Sequence, residues 1–101
     1  MFFKRPDINA GAEEYRATPN AVLVDVREAD EFAAGHIPGA INLPLSTLAT
    51  ADIPFPEDAP VFVYCLAGTR AGRAVRFLEN AGFTNVKNIG GINAYKGPKE
   101  K

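Results

Sequence analysis

The feature that most constrains the fold of this 101-residue chain is an apolar run at residues 61–64 that leads directly into its only cysteine, Cys65. Four consecutive apolar residues, two of them β-branched, are typical of a central strand covered on both faces. Beyond a short loop, apolar residues recur at helical spacing and predict an amphipathic helix that ends near Gly82: Ala71, Ala74, Val75 and Leu78. This order places Cys65 at the carboxyl end of a strand, where open α/β sheets bind their ligands.

The loop that follows Cys65 has the composition of an anion-binding site. Gly68 allows the backbone to curl so that successive N–H groups point inward, and Arg70 adds a positive charge. A helix N-terminus and a basic neighbour both stabilise the thiolate form of a cysteine over the thiol. The alternative is that Cys65 is only a small buried hydrophobic residue. The glycine and the arginine favour a reactive cysteine.

The whole-chain composition indicates one globular domain spanning residues 1–101. Hydrophobic residues make up 47% of the chain and charged residues 23%, which argues against disorder. The formal net charge of −1 argues against a general binder of nucleic acid or of anionic membranes. A single cysteine excludes an internal disulfide and a CxxC pair, and with only one histidine it argues against a zinc site.

Strand and helix patterns alternate along the rest of the chain. Helices are predicted at 8–17 with Asn9 as a cap, at 27–34, at 46–50 and in a brief segment after Gly91, and strands at 21–26, around 41–44 and at 85–89. This alternation predicts a parallel sheet with right-handed crossovers.

The two ends of the chain are expected to be loosely held, and the carboxyl-terminal tail is charged. Residues 1–5 lack the long apolar core of a signal peptide, and no apolar run approaches the length of a membrane span. The expected location is therefore the cytoplasm.

Three separated stretches resemble the rhodanese-like sulfurtransferases. The first begins at residues 24–28, continues through Glu31 and Phe32, and ends with the Gly-His-Ile-Pro-Gly turn and its extension at 35–44. The second is the loop at 65–70, with cysteine first and glycine fourth. The third is the segment 90–97, which is similar to the family's carboxyl-terminal signature. The three occur in the expected order and cover nearly the whole chain.

The resemblance implies both a fold and a reaction. The implied fold is a three-layer α/β domain with a mostly parallel central sheet of about five strands and helices on both faces. The implied reaction moves sulfane sulfur from thiosulfate or a persulfide donor to cyanide or a thiol through a persulfide on Cys65, without a metal or an organic cofactor. A protein partner is an alternative donor or acceptor. The residues implied to bind the substrate are those of the loop: Leu66, Ala67, Gly68, Thr69 and Arg70.

Two details of the loop refine this expectation. Leu66 stands where the two-domain enzymes commonly have an arginine, which leaves Arg70, with Arg73 as a second candidate, to hold an anionic donor. Related phosphatases and arsenate reductases use a longer loop with arginine six positions after the cysteine. That position is Ala71 here, and the shorter loop favours sulfur chemistry over phosphate chemistry.

Other charged residues are predicted to be structural. His36, in its Gly-His-Ile-Pro-Gly turn, is expected to bond to nearby backbone rather than to act as an acid or base. Asp25 and Arg27 are expected to form an ion pair at a strand end, and Arg76 to be a solvated surface charge.

The alternative to an enzyme is a rhodanese-fold binding module, in which the loop recognises a partner and no sulfur moves. The presence of Cys65 favours the enzyme, because inactive members of the family usually lack this cysteine.

Overall fold

The central element of the structure is a parallel sheet. The structure is a computed structural model that describes residues 5–101. In chain order, the strands are β1 (Val22–Asp25), β2 (Ile41–Asn42), β3 (Val61–Cys65) and β4 (Val86–Gly91). They lie in the order β2-β1-β3-β4, and each pairing is parallel. The apolar run predicted to form a central strand is β3, and all five of its residues are buried.

Helices cover both faces of this sheet, as the three-layer expectation requires. They are α1 (Ile8–Ala17), α2 (Ala29–Ala34) and α3 (Thr69–Asn80), with 3-10 helices at Leu45–Thr50 and Ile92–Ala94. Successive side chains of β3 point to opposite faces. Val61, Val63 and Cys65 join a core with Ala71, Ala74 and Leu78 of α3, whereas Phe62 and Tyr64 join a core with Ile8 of α1. No helix within residues 5–101 is long and apolar enough to cross a membrane.

The sheet has four strands in the described residues, so the expectation of about five is wrong in this detail. The long connection between β2 and β3 forms a 3-10 helix and then a loop that contains Pro54, Pro56 and Pro60. Proline has no N–H group to donate to a strand ladder, so this connection adds no strand.

Helix α1 has the predicted bounds but a different cap, and helix α2 begins later than predicted. The cap of α1 is Asp7 rather than Asn9, because Asn9 already lies within the helix. Oδ1 of Asp7 accepts the N–H groups of Asn9 at 2.9 Å and of Ala10 at 3.4 Å. Helix α2 begins at Ala29 instead of residue 27, since the Arg27 N–H is bonded to the Asp25 carboxylate at 2.9 Å.

Helix α3 ends as its sequence predicts. Gly82 adopts a left-handed backbone conformation with φ of 106°, which glycine enters at little cost. The N–H of Phe83 then bonds back to the Leu78 carbonyl at 3.0 Å, and the Phe83 ring is buried in the same core as Leu78. This combination is a Schellman motif with its usual apolar contact.

The two ends of the chain were expected to be loosely held. At the amino end that expectation concerns residues 1–4, which lie outside the described part of the chain. At the carboxyl end it is wrong. His36 and Glu100 exchange two backbone hydrogen bonds of 2.8 and 2.9 Å in an isolated antiparallel bridge, which fastens the tail to the turn after α2.

Candidate active site

The candidate site is centred on the sulfur of Cys65, at the junction between β3 and α3. The strand places the side chain on the α3 side of the sheet, where the residue is only 1% exposed. Its Sγ atom accepts the backbone N–H of Gly68 at 2.9 Å and that of Ala71 at 3.3 Å. The loop therefore wraps around the sulfur, and the first turn of α3 contributes to the wrapping.

The carbonyl groups of Leu66 and Gly68 are held by hydrogen bonds to residues outside the loop. The Leu66 carbonyl accepts the N–H of Asn93 at 3.1 Å. The Gly68 carbonyl accepts the Asn88 side-chain amide and the Gly72 N–H, each at 3.1 Å. None of the described peptide bonds is cis. In a trans peptide the N–H points opposite to the carbonyl of the preceding residue, so the Ala67 and Thr69 N–H groups face away from these partners.

The loop consequently presents several N–H groups that are free to bind an anion. Among residues 5–101, no acceptor bonds to the backbone N–H groups of Ala67, Thr69 or Arg70. Gly68 makes this geometry accessible, because its φ of 104° lies in the left-handed region. Such a nest of N–H groups at a helix N-terminus binds negative charge. The backbone curl predicted at Gly68 is present, with the N–H groups of Gly68 and Ala71 directed at the Cys65 sulfur.

Two residues of β4 fix the position of the loop. Oδ1 of Asn88 accepts the Gly90 N–H at 2.8 Å while its Nδ2 holds the Gly68 carbonyl, so a single side chain joins the strand to the loop. Gly91 lies directly beneath the loop. A Cβ atom there would meet the Leu66 carbonyl oxygen and would approach the Ala67 Cα to 2.6 Å. The loop therefore requires both residues as they are.

Arg70 differs from the expectation that it is available to hold a substrate. Its guanidinium forms a two-pronged ion pair with Glu31 of α2, with Nη1 to Oε1 at 2.7 Å and Nη2 to Oε2 at 3.0 Å. The hydrogen bonds to Arg70 lower the pKa of Glu31 to about 2, and the same bonds raise the pKa of Arg70.

A buried ion pair holds the turn that leads to Glu31. Nη2 of Arg27 lies 2.7 Å from Oδ2 of Asp25 and also donates to the Gly35 carbonyl at 2.7 Å. Burial by itself lowers the pKa of Arg27. The hydrogen bond from Arg27 to Asp25 and the negative charge of Asp25 outweigh this effect, so the pKa of Arg27 is raised. The prediction of a structural ion pair is confirmed.

The structural interpretation of His36 is also supported. Its Nδ1 lies 2.9 Å from the Phe32 carbonyl, and its ring stacks on that of Phe32 with 3.8 Å between centroids. These contacts join the end of α2 to the following turn.

The surface around the loop combines an open cleft with an apolar side chain. A cleft of about 620 Å³ lies beside the loop, bounded by Arg5, Pro6, Ala67, Gly68, Thr69, Asn88, Gly90, Gly91, Asn93 and Ala94. Leu66 is 45% exposed. Arg73 and Arg76 are both exposed on α3, which confirms the surface position predicted for Arg76. No cluster of three metal-ligating side chains occurs within residues 5–101.

Sequence reasoning missed the roles of Asn88 and Glu31. Asn88 lies in a correctly predicted strand, but no local pattern connects it to a loop 20 residues away. Glu31 belongs to a stretch that carried the family resemblance, yet its partner Arg70 is 39 residues distant.

Comparison with known proteins decides the family. The sequence profile described as a rhodanese-like domain matches residues 10–98. The chain belongs to the rhodanese-like domain family. The site built from Cys65 and its loop is thus found in a family that includes sulfurtransferases.

Individual relatives agree with this assignment. The thiosulfate sulfurtransferase PspE of Escherichia coli (strain K12) is 40% identical over 82 residues, which cover 77% of this chain and 77% of PspE. The uncharacterized protein YqhL of Bacillus subtilis (strain 168) is 44% identical over 87 residues, covering 84% of this chain and 69% of YqhL. A solved structure of a rhodanese with anions from E. coli is 38% identical, with a TM-score of 0.68 over 80% of this chain and 98% of that one.

Proposed function

We propose that this rhodanese-family protein is a sulfurtransferase that carries sulfane sulfur on Cys65. The observation that carries the proposal is the arrangement of backbone N–H groups around Sγ. Gly68 and Ala71 donate to the sulfur, and the N–H groups of Ala67, Thr69 and Arg70 have no acceptor in the described chain. Such donors favour an anionic sulfur over a neutral thiol, because each N–H dipole points its positive end at the charge.

The first step loads the cysteine. The Cys65 thiolate attacks the outer sulfur of the donor, a new S–S bond forms, and the donor's own S–S bond breaks. With thiosulfate as the donor, the electron pair of the broken bond leaves with sulfite. The product is a persulfide with its negative charge on the terminal sulfur. We propose that the free N–H groups of the loop stabilise this terminal sulfur, as an oxyanion hole stabilises developing charge.

The second step unloads the persulfide. A nucleophilic acceptor attacks the terminal sulfur, and the electron pair of the Cys65 S–S bond returns to the cysteine as thiolate. Cyanide would leave as thiocyanate, and a thiolate would leave as a new persulfide. Every atom and electron pair is accounted for without an added oxidant or cofactor.

The 1% exposure of Cys65 favours a second candidate, a binding module whose loop recognises a partner without moving sulfur. A catalytic assay separates the two. The purified protein is incubated with thiosulfate and cyanide, and thiocyanate is measured for the parent chain and for Cys65→Ser. Turnover by the parent and none by Cys65→Ser is expected. Equal thiocyanate formation by both would refute the role of Cys65, and no turnover by a folded parent with any sulfur donor would favour the binding module.

A further inference from the structure

The open cleft beside the loop is bordered by a residue from the beginning of the described chain. Among the residues within 5–101 that border this cleft of about 620 Å³, Arg5 is the only one with a charged side chain. Ala67 and Thr69, whose backbone N–H groups have no acceptor in the same part of the chain, border it as well. An anion that approaches the loop through this cleft therefore meets both free N–H groups and a positively charged residue.

The segment that follows Arg5 is fastened to the strand beside the loop. Gly90 of β4 has a φ of 107°, and a Cβ atom there would lie only 3.2 Å from the Pro6 carbonyl oxygen. On the loop side, a Cβ atom on Gly68 would lie 3.6 Å from the Gly90 Cα. Gly90 thus lies between the segment before α1 and the loop, and its lack of a side chain allows both to approach closely. This packing places Arg5 at the cleft.

Arg5 forms no ion pair within residues 5–101. It also borders a second cleft of about 290 Å³, where the other charged residues are Asp7, Glu14 and Lys87. The Asp7 carboxylate accepts two backbone N–H groups of α1, and Glu14 is paired with Lys87 at 2.7 Å. Both carboxylates are therefore engaged by other groups, and the exposed Arg5 keeps its donors available for a ligand.

The arginine of the loop itself is engaged. Arg70 donates to both carboxylate oxygens of Glu31, at 2.7 and 3.0 Å. Turning Arg70 toward a substrate would break two charge-assisted hydrogen bonds, which are stronger than neutral ones. Arg5 has no such bonds to lose in the described chain. Of these two arginines, Arg5 is the one that can contact an incoming anion without breaking an existing interaction.

We propose that Arg5 is a substrate-binding residue of the Cys65 site, supplied by the segment before α1, and that it draws anionic reactants into the cleft. This inference rests on the proposed sulfurtransferase function and adds a residue to that same site. The physical reason is the repulsion between an anionic reactant and the Cys65 thiolate. Backbone N–H groups carry only partial charges, whereas a guanidinium in the cleft offsets this repulsion with a full positive charge.

The test measures alkylation of Cys65 in the intact chain, because this reaction does not require sulfur transfer. Iodoacetate is an anion and iodoacetamide is its neutral counterpart. With either reagent the thiolate forms an S–C bond and iodide leaves with the electron pair of the C–I bond. Cys65 is the only cysteine, so both rates report on one site. The ratio of the two rate constants cancels the effects of thiolate reactivity and burial, and it reports the charge that the reagent meets.

We expect Arg5→Gln to lower the iodoacetate-to-iodoacetamide ratio by about three- to tenfold, near the lower end of electrostatic steering effects. The iodoacetamide rate should change by less than about twofold, since a neutral reagent gains little from the charge. Arg5→Lys should restore part of the ratio, because lysine keeps the charge but lacks the planar fork of arginine. In about 1 M salt, where the screening length is about 3 Å, the parent and Arg5→Gln should converge.

Arg76→Gln is the matched control, because it removes the same charge from an exposed position on α3. It should leave the ratio at the parental value. In the thiocyanate assay, Arg5→Gln should raise the KM for thiosulfate by about three- to tenfold and change kcat less, as expected for a residue that binds the donor before the reaction.

An unchanged ratio in Arg5→Gln would overturn the inference, and so would an equal fall in Arg76→Gln. Equal slowing of both reagents by Arg5→Gln would also overturn it, because Arg5 would then only support the shape of the loop. Failure of the proposed function gives a different result, since a folded parent would form no thiocyanate while its alkylation ratio still depended on Arg5. A folded parent that neither reagent alkylates and that transfers no sulfur would overturn both proposals.

Discussion

Substitution of Asn88 by alanine tests whether sulfur transfer depends on the hydrogen bond that holds the Gly68 carbonyl of the loop. The change removes two hydrogen bonds, one from Nδ2 to the Gly68 carbonyl and one from the Gly90 N–H to Oδ1. Each bond contributes about 1 kcal/mol, and the buried Gly90 N–H that is left without a partner costs about 1–3 kcal/mol. Since the Gly68 carbonyl keeps its bond from Gly72, we expect a total loss of about 2–4 kcal/mol in the free energy of unfolding.

The same substitution should slow sulfur transfer beyond its effect on stability. Without Asn88 the 68–69 peptide is held only by the bond from the Gly72 N–H to the Gly68 carbonyl, so the direction of the Thr69 N–H is less tightly fixed. Loss of a whole donor from an oxyanion hole typically costs about 10²–10³ in rate, so a loosened donor should cost about tenfold or somewhat more. Asn88→Asp separates the two effects, because a carboxylate still accepts the Gly90 N–H but repels the Gly68 carbonyl.

The assay combines urea unfolding with the rate of thiocyanate formation at conditions where each variant is folded. Asn85→Ala is the control, since this exposed residue just before β4 makes no side-chain hydrogen bond within the described chain. It should match the parent in both measurements. An Asn88→Ala variant with parental rate per folded molecule would refute the argument that this side chain positions the loop.

Two further predictions concern the charges that support the site. Arg27→Met should lower the free energy of unfolding by about 3–5 kcal/mol in a urea titration, because it leaves the fully buried Asp25 carboxylate without its cation, and a loss below about 1 kcal/mol would contradict this. The ion pair of Glu31 should stabilise the fold at neutral pH and lose its effect in acid. The pKa of Glu31 is lowered from 4.5 to about 2 by folding, so its stabilisation is fully present above pH 4.5 and is lost as the pH falls toward 2. The stability difference between the parent and Glu31→Gln should therefore shrink across this range in urea titrations, and a difference that stays constant would contradict the assignment.

The parts of the fold that sequence predicted correctly depend on local patterns. The apolar run of β3, the helical spacing of α3 and the stop at Gly82 each follow from residues close together in the chain. The position of Cys65 between strand and helix follows from the same patterns. These features were available because hydrophobic periodicity and glycine conformation act over a few residues.

The parts that sequence missed depend on contacts between distant segments. Arg70 was assigned to substrate binding as the positively charged last residue of the loop, and the structure pairs it with Glu31 on another helix. The tail was expected to be loose, but Glu100 pairs with His36. Such partners are set by how helices and turns meet in the folded chain, and no local pattern identifies them.

The most direct test of the central claim is the intact mass of the protein after incubation with a sulfur donor. The account predicts that the parent gains the mass of one sulfur atom, that cyanide removes this sulfur as thiocyanate, and that Cys65→Ser gains nothing. A folded parent whose mass is unchanged by both thiosulfate and a persulfide donor would contradict it, and so would an equal gain of sulfur by Cys65→Ser.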